Sequence, residues 1–251
     1  MNEFRAFARG SSALAALFGL SLVCGPADAA DAEPDISGVY WANQYHAQIP
    51  LVGGGELPLT AEGRAAYEAN RAGLEDGSIA DIARTRCVPD GLPRALATPY
   101  PFEIVQAPPG QVLMVHELNH QIRVIALDEP LPSAEELLPY PWFNGHSVGH
   151  WDGDTLVIET AGFNDRTFVD AAGAPHTDQM VTTERVRKIS PTELEIVITV
   201  HDPQYYTEDW QARFVYTLRN DVRIEDYVCG EAHRDISHIP GINEARAARG
   251  Q

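Results

Sequence analysis

Several signatures of catalysis are missing from this chain. It has no Gly-x-Ser-x-Gly elbow, no Gly-x-Gly-x-x-Gly and no phosphate-cradling glycine loop, so common nucleophile and nucleotide sites have no support. Gly53-Gly54-Gly55 lacks a following Lys and reads as a flexible loop. No His-x-His or His-Glu-x-x-His occurs, and Cys-x-x-Cys is absent. Basic residues are scarce enough to leave a formal net charge of −18. A chain this acidic is repelled by nucleic acid and by anionic lipid, so neither is expected as a partner. No repeat, low-complexity block or Ser/Gly linker divides the sequence, and no stretch beyond the N-terminus is long and apolar enough for stable membrane insertion.

The N-terminus carries Arg5 and Arg9, an apolar run from Ala13 to Val23, and Ala27-Asp28-Ala29. That order reads as a secretory signal peptide cut after Ala29, with export to the periplasm or beyond. Glu3 and Asp28 would leave with the two arginines, so the acidity survives cleavage. Residues 30–251, about 220 in all, suffice for one large domain with a substantial core. Only Cys87 and Cys229 then remain, and in an oxidising compartment an even pair points to one disulfide.

What is present is a succession of short strands. Asp35 to His46 reads as the opening strand, and Leu59-Thr60-Ala61-Glu62 starts a helix of about four turns running to near Glu75, with Thr60 able to act as N-cap and Asp76-Gly77 as its stop. Pro89, Pro93 and Pro99 then forbid regular structure between Cys87 and Pro101. Beyond Phe102 hairpins dominate, the clearest turn being Asp152-Gly153 between Ser147–Trp151 and Thr155–Ala161. Leu194, Ile196, Ile198 and Val200 alternate with polar neighbours, as do Trp210, Ala212, Phe214 and Tyr216. A final strand is expected over Val222–Cys229. The fold class is therefore mostly β: an antiparallel meander of about ten strands and one N-terminal helix, closing into a lipocalin-like barrel with room for one small ligand. A cone-shaped α+β fold would need two or three helices before the sheet, and the sequence offers one.

Titratable groups concentrate between Gly145 and Asp178. His146 and His150 share a strand face with Val148, about 13 Å apart at four strand residues, too far to share one metal. His116 and His120 straddle a strand end and a turn, which is no better for a metal. Acid–base chemistry fits more closely, since it needs a group titrating near neutrality and another to orient it. His146 and His176 are the expected proton-transfer groups, Asp165 the orienting carboxylate and Arg166 the oxyanion stabiliser. The bland alternatives are a loop ion pair for Asp165-Arg166 and a turn residue for His176. His116, His150, Asn164, Glu184, Asp226 and Tyr227 are expected to line a substrate pocket. Glu184 and Arg185 face opposite sides, so at most one points inward. Asp226 shares its expected strand face with Val222, Ile224 and Val228.

The combination of Cys87-Val-Pro-Asp-Gly-Leu-Pro-Arg94, Pro99-Tyr-Pro-Phe-Glu-Ile-Val-Gln106, Gly145-His-Ser-Val-Gly149 through Asp154-Thr-Leu-Val157, Gly162-Phe-Asn-Asp-Arg166, Pro175-His176 and Tyr227-Val-Cys229 resembles a group of exported bacterial proteins. The resemblance spans nearly all of residues 30–251. It implies export and a single domain, and marks His146, Asn164, Asp165, Arg166 and His176 as motif positions, but implies no activity. The functional expectation is a cofactor-independent periplasmic enzyme, a lyase, dehydratase or isomerase, acting on a small apolar or aromatic molecule. The alternative is a carrier holding a small hydrophobic ligand without catalysis. The oligomeric state is left open.

Overall fold

Nine strands in sequence order close into a barrel: β1 Gly38–Ala42, β2 Phe102–Val105, β3 Gln111–His116, β4 Gln121–Leu127, β5 His146–Asp152, β6 Thr155–Ala161, β7 Val181–Ser190, β8 Glu193–His201 and β9 Trp210–Leu218. The computed structural model describes residues 33–227, except 107, 108, 138 and 140, together with 229. The expected signal peptide lies outside the described residues. Closure comes from β1 against β9, where Tyr40 faces Leu218 and Ala42 faces Tyr216.

Three expectations need correction. The barrel is not wholly antiparallel, because β4 and β5 run parallel, with Ile125 opposite Ser147 and Leu127 opposite Gly149. A parallel neighbour needs a crossover of a dozen or more residues, which residues 128–145 supply. The second concerns the strand expected over Val222–Cys229: among its described residues, 222–227 and 229, none is in a strand, and β1 already occupies the edge of β9 that it would have paired with. The third is helix number. Besides α1, Ala61–Asp76, there are one-turn helices α2, Ile82–Thr85, and α3, Ala134–Leu137. The 3-10 turn Arg94–Ala97 shows that the proline-rich segment also admits one short regular piece.

Local sequence accounts for most of the rest. Helix α1 starts at Thr60, whose hydroxyl accepts from Gly63 N at 3.0 Å, and stops at left-handed Gly77. The β5–β6 hairpin is closed by the Asp152–Thr155 pair, so its loop is Gly153-Asp154 and Gly153 takes the positive φ of 62°.

The inner face is packed solid. Leu194, Ile196, Ile198 and Val200 of β8 and Ala212 of β9 are fully buried, with Phe214 and Tyr216 nearly so. Tyr216 meets Phe102 edge-on at 4.8 Å, and Tyr40 lies 5.9 Å from the same ring. Each such side chain is worth about 1.5–3 kcal/mol on removal from water. A barrel of this size is just wide enough for side chains to fill, and here they do. The expected ligand hollow inside it is replaced by core.

β1 and β3 finish, and β2 and β4 begin, at one common end, since Tyr40, Phe102, His116 and Gln121 share a register row. Over this end, the mouth, lies the long excursion 43–101 between β1 and β2, which includes α1 and α2.

Candidate functional site at the barrel mouth

His146 opens β5 opposite Ala161 and stands on the outer face with the exposed His150, because Ser147 and Gly149 take the inner positions. Asp165 and Arg166 are exposed; Arg166 lies 5.3 Å over the Phe143 ring, and its backbone N–H donates to Asn164 Oδ1 at 3.0 Å. His176 is buried, with Nδ1 3.1 Å from Thr177 O and Nε2 3.2 Å from the Thr167 hydroxyl. Burial holds its pKa below the ordinary imidazole value. Both ring nitrogens are engaged with neutral groups, which is the pattern of a positioned structural imidazole. Neither cleft described below is lined by His146, Asp165, Arg166 or His176. Neither cleft gathers the four: strand parity turns His146 outward and Asp165 and Arg166 are exposed, although the Asp165 charge is felt at His176.

Glu184 and His116 do point inward, but into the filled barrel. The Glu184 carboxylate pairs with Arg123 through both guanidinium Nη atoms. Arg123 also donates to Ser147 Oγ at 2.9 Å and Thr160 Oγ1 at 2.8 Å. This closed network leaves the carboxylate no open face toward a substrate. His116 packs 5.3 Å from Phe102, and burial together with Arg123 pushes its pKa down to about 4. Asp226 is exposed in a segment without strand structure, which corrects its expected place in a strand.

Tyr227 is the expected pocket residue that the structure does bring to a cavity. After β9 the chain returns to the mouth, where Glu225 N donates to Glu117 Oε2 and Tyr227 N to His120 Nε2. The Cys229–Cys87 disulfide then fastens it to the excursion. Between them opens a cleft of about 420 Å³ with Tyr45, His46, Arg84, Asp90, Arg94, Tyr100, Asn119 and Tyr227 in its wall. Its volume lies in the range of small-molecule sites. A second cleft of about 300 Å³ runs along α1 and includes Tyr67 and Asp170. That carboxylate is already occupied by the backbone N–H groups of Ile49, Ala172 and Ala174.

The larger cleft is built on a charged lattice. Arg94 makes a bidentate pair with Asp81, at 3.0 and 2.7 Å, and its Nε lies 3.4 Å from Asp90. Gln121 Nε2, from β4, donates to the other Asp90 oxygen at 3.1 Å. Burial raises the Asp90 pKa, with Arg94 opposing, so this carboxyl holds a proton more readily than a surface one. Burial lowers the pKa of His46, which favours the neutral, proton-accepting imidazole. Burial and the neighbouring Tyr100 ring, 5.1 Å away edge-on, raise that of Tyr227.

The motif segments support this wall from behind. Gly91, next to Asp90, has φ 76°, and a Cβ there would lie 2.8 Å from Thr167 Oγ1 and 3.0 Å from Phe143 O. Only glycine lets the Asp90 loop seat on residues 143 and 167, the flanks of the two histidine- and arginine-bearing motifs. Among the described residues, three of the four non-glycine positions with positive φ are Cys87, Asn119 and His120, all around the cleft. Such backbone outliers gather at sites where function constrains the chain.

Among the described residues, no three His, Cys, Asp or Glu side chains converge as a metal-ligand set. The chain matches no protein-family model and no curated protein. The roles of its residues therefore rest on geometry. Sequence reasoning placed Tyr45 and His46 in the opening strand, which in fact ends at Ala42, and passed over Asp90 and Arg94 because they fall in an irregular segment without periodicity. The available signal was chemical: an Asp and an Arg four apart, between a cysteine and the prolines, in a loop that a disulfide would tether.

Proposed function

We propose that this chain is an exported, cofactor-independent enzyme that carries out acid–base chemistry on a small molecule held in the mouth cleft. The observation that carries the reading is one cavity bringing together His46, whose burial favours the neutral form, and Asp90, whose burial favours the protonated form. A base held neutral and a carboxyl made easier to protonate suit paired proton transfer. In a dehydration or elimination, His46 would take the proton from substrate carbon. Asp90 would protonate the departing oxygen, so that a double bond forms and the leaving group departs neutral. In an isomerisation the same pair would remove and return one proton. Arg94, fixed by Asp81, would hold Asp90 in place, and Tyr45, Tyr100 and Tyr227 would bound the ring or chain of the substrate. The Cys87–Cys229 bond is compatible with an oxidising compartment. Carriage of an apolar ligand inside the barrel loses support, because core side chains occupy that volume.

The test is turnover of an extract of small metabolites, followed by mass spectrometry, with wild type, His46→Ala, Asp90→Asn and His146→Ala compared. Loss of the acid or base should slow conversion ~10²-fold or more. The exposed-face variant His146→Ala should retain it. Thermal melts confirm that each variant folds. Full turnover in folded Asp90→Asn and His46→Ala, or its loss only in His146→Ala, would overturn the assignment.

A further inference from the structure

The charge and ring content of the mouth cleft point to its ligand class; the inference rests on that cleft being the site. The chain as a whole is strongly acidic, yet the cleft wall holds two arginines against a single carboxyl. Arg94 is committed, with two guanidinium nitrogens on Asp81 and the third facing Asp90. Asp81 therefore cancels Arg94 within the protein. Arg84, on α2 at the rim, is exposed, and among the described residues its side chain has no ion-pair or hydrogen-bond partner. It is the uncommitted cation of the cleft. The opposing wall is aromatic: Tyr100 and Tyr227 meet edge to face at 5.1 Å, and Tyr45 stands 52% exposed beside them. Large aromatic surface left open to water beside a free guanidinium suits a planar ligand carrying a negative charge. The planar fork of Arg matches the two oxygens of a carboxylate. A phosphate dianion would call for a second free cation, and among the described residues the wall offers one.

We infer that the cleft binds small aromatic carboxylates, the ring lying against Tyr45, Tyr100 and Tyr227 and the carboxylate pairing with Arg84. The reaction site at His46 and Asp90 then lies deeper than the charge that recruits the substrate. The probes are 4-hydroxycinnamate, its neutral amide and phenyl phosphate, titrated calorimetrically into the full-length oxidised protein. Wild type should bind the acid ~10-fold or more tightly than the amide, one charge-assisted pair being worth that ratio. Phenyl phosphate should bind no better than the acid. Arg84→Gln should abolish the acid's advantage while leaving amide affinity unchanged, and Arg86→Gln, an exposed neighbour outside the cleft, should change neither. Equal affinity for acid and amide, an advantage that survives Arg84→Gln, preference for phenyl phosphate, or no binding of the acid would each overturn the inference. The turnover comparison of His46 and Asp90 variants stands apart from all of these, so ligand class and site location can fail separately.

Discussion

The strands β6 to β9 and the excursion 43–101 solve opposite problems. In β8 and β9, apolar residues recur at every second position and vanish into the barrel, so packing specifies their register. The buried charged pair of the barrel, Glu184 of β7 with Arg123 of β4, is hydrogen-bonded within the core and closed to ligands. The excursion has little periodicity and buries charged groups beside its apolar ones: Asp90 and Arg94 are each at most 5% exposed. Its polar network is open on one side, toward a cavity. The difference teaches that in this molecule burial of charge has two meanings, and that the free face of the network separates a site from a structural brace.

The comparison can be broken most forcefully in the barrel. Glu184→Ala should leave the Arg123 guanidinium unpaired in the core and cost about 3–5 kcal/mol in urea denaturation. A double Glu184→Leu, Arg123→Leu variant should recover most of that loss. If the single variant is as stable as wild type, the brace reading of this pair is wrong. Next comes the tether of the mouth. Replacing Cys87 and Cys229 together by Ser should cost about 2–5 kcal/mol on the chain-entropy account, since the bond spans 142 positions. It should also release Tyr227 and weaken ligand binding, whereas the barrel's far-ultraviolet dichroism should persist. Unchanged binding would detach Tyr227 from the site.

A smaller effect, of about 3 kcal/mol at most, concerns acid. His116 has a folded pKa of about 4, against about 6.5 when unfolded. The unfolded chain therefore binds the proton first as pH falls. The contribution of His116 is complete above pH 6.5 and is lost progressively down to 4. His176, also depressed by burial, acts in the same direction. Asp90 opposes them: with its pKa raised, it favours the folded state at low pH and loses that contribution as pH rises through its folded value. Stability measured from pH 7.5 to 4 should fall, and His116→Phe should flatten the slope. A slope unchanged in that variant would mean that His116 is not the group responsible.

Much of the barrel was legible because its signals are local and periodic. The alternation in Leu194–Val200 and Trp210–Tyr216, the cap at Thr60 and the two cysteines each pointed to what they form. The expected tenth strand failed for a topological reason, since Val222–Tyr227 has strand-like residues but no free sheet edge. The parallel β4–β5 pair was hidden in the same way, although a connection from 128 to 145 is too long for a tight hairpin. The site was harder to read. His146 and His176 carry the right chemistry in a conspicuous motif, but strand parity and loop hydrogen bonds decide where imidazoles point. Asp90 and Arg94 become a pair only through contacts with Asp81 on one side and Gln121 on the other, and no linear pattern announces those.

The most direct test of the central claim is amide chemical-shift mapping of the full-length oxidised protein with 4-hydroxycinnamate and, separately, its amide. The account predicts perturbations concentrated at Tyr45, His46, Arg84, Asn119 and Tyr227, with Ile158 and Ile198 of the barrel wall unmoved. Shifts centred on the barrel lining or on the surface around His146 and Asp165, or no shifts with either compound, would contradict it.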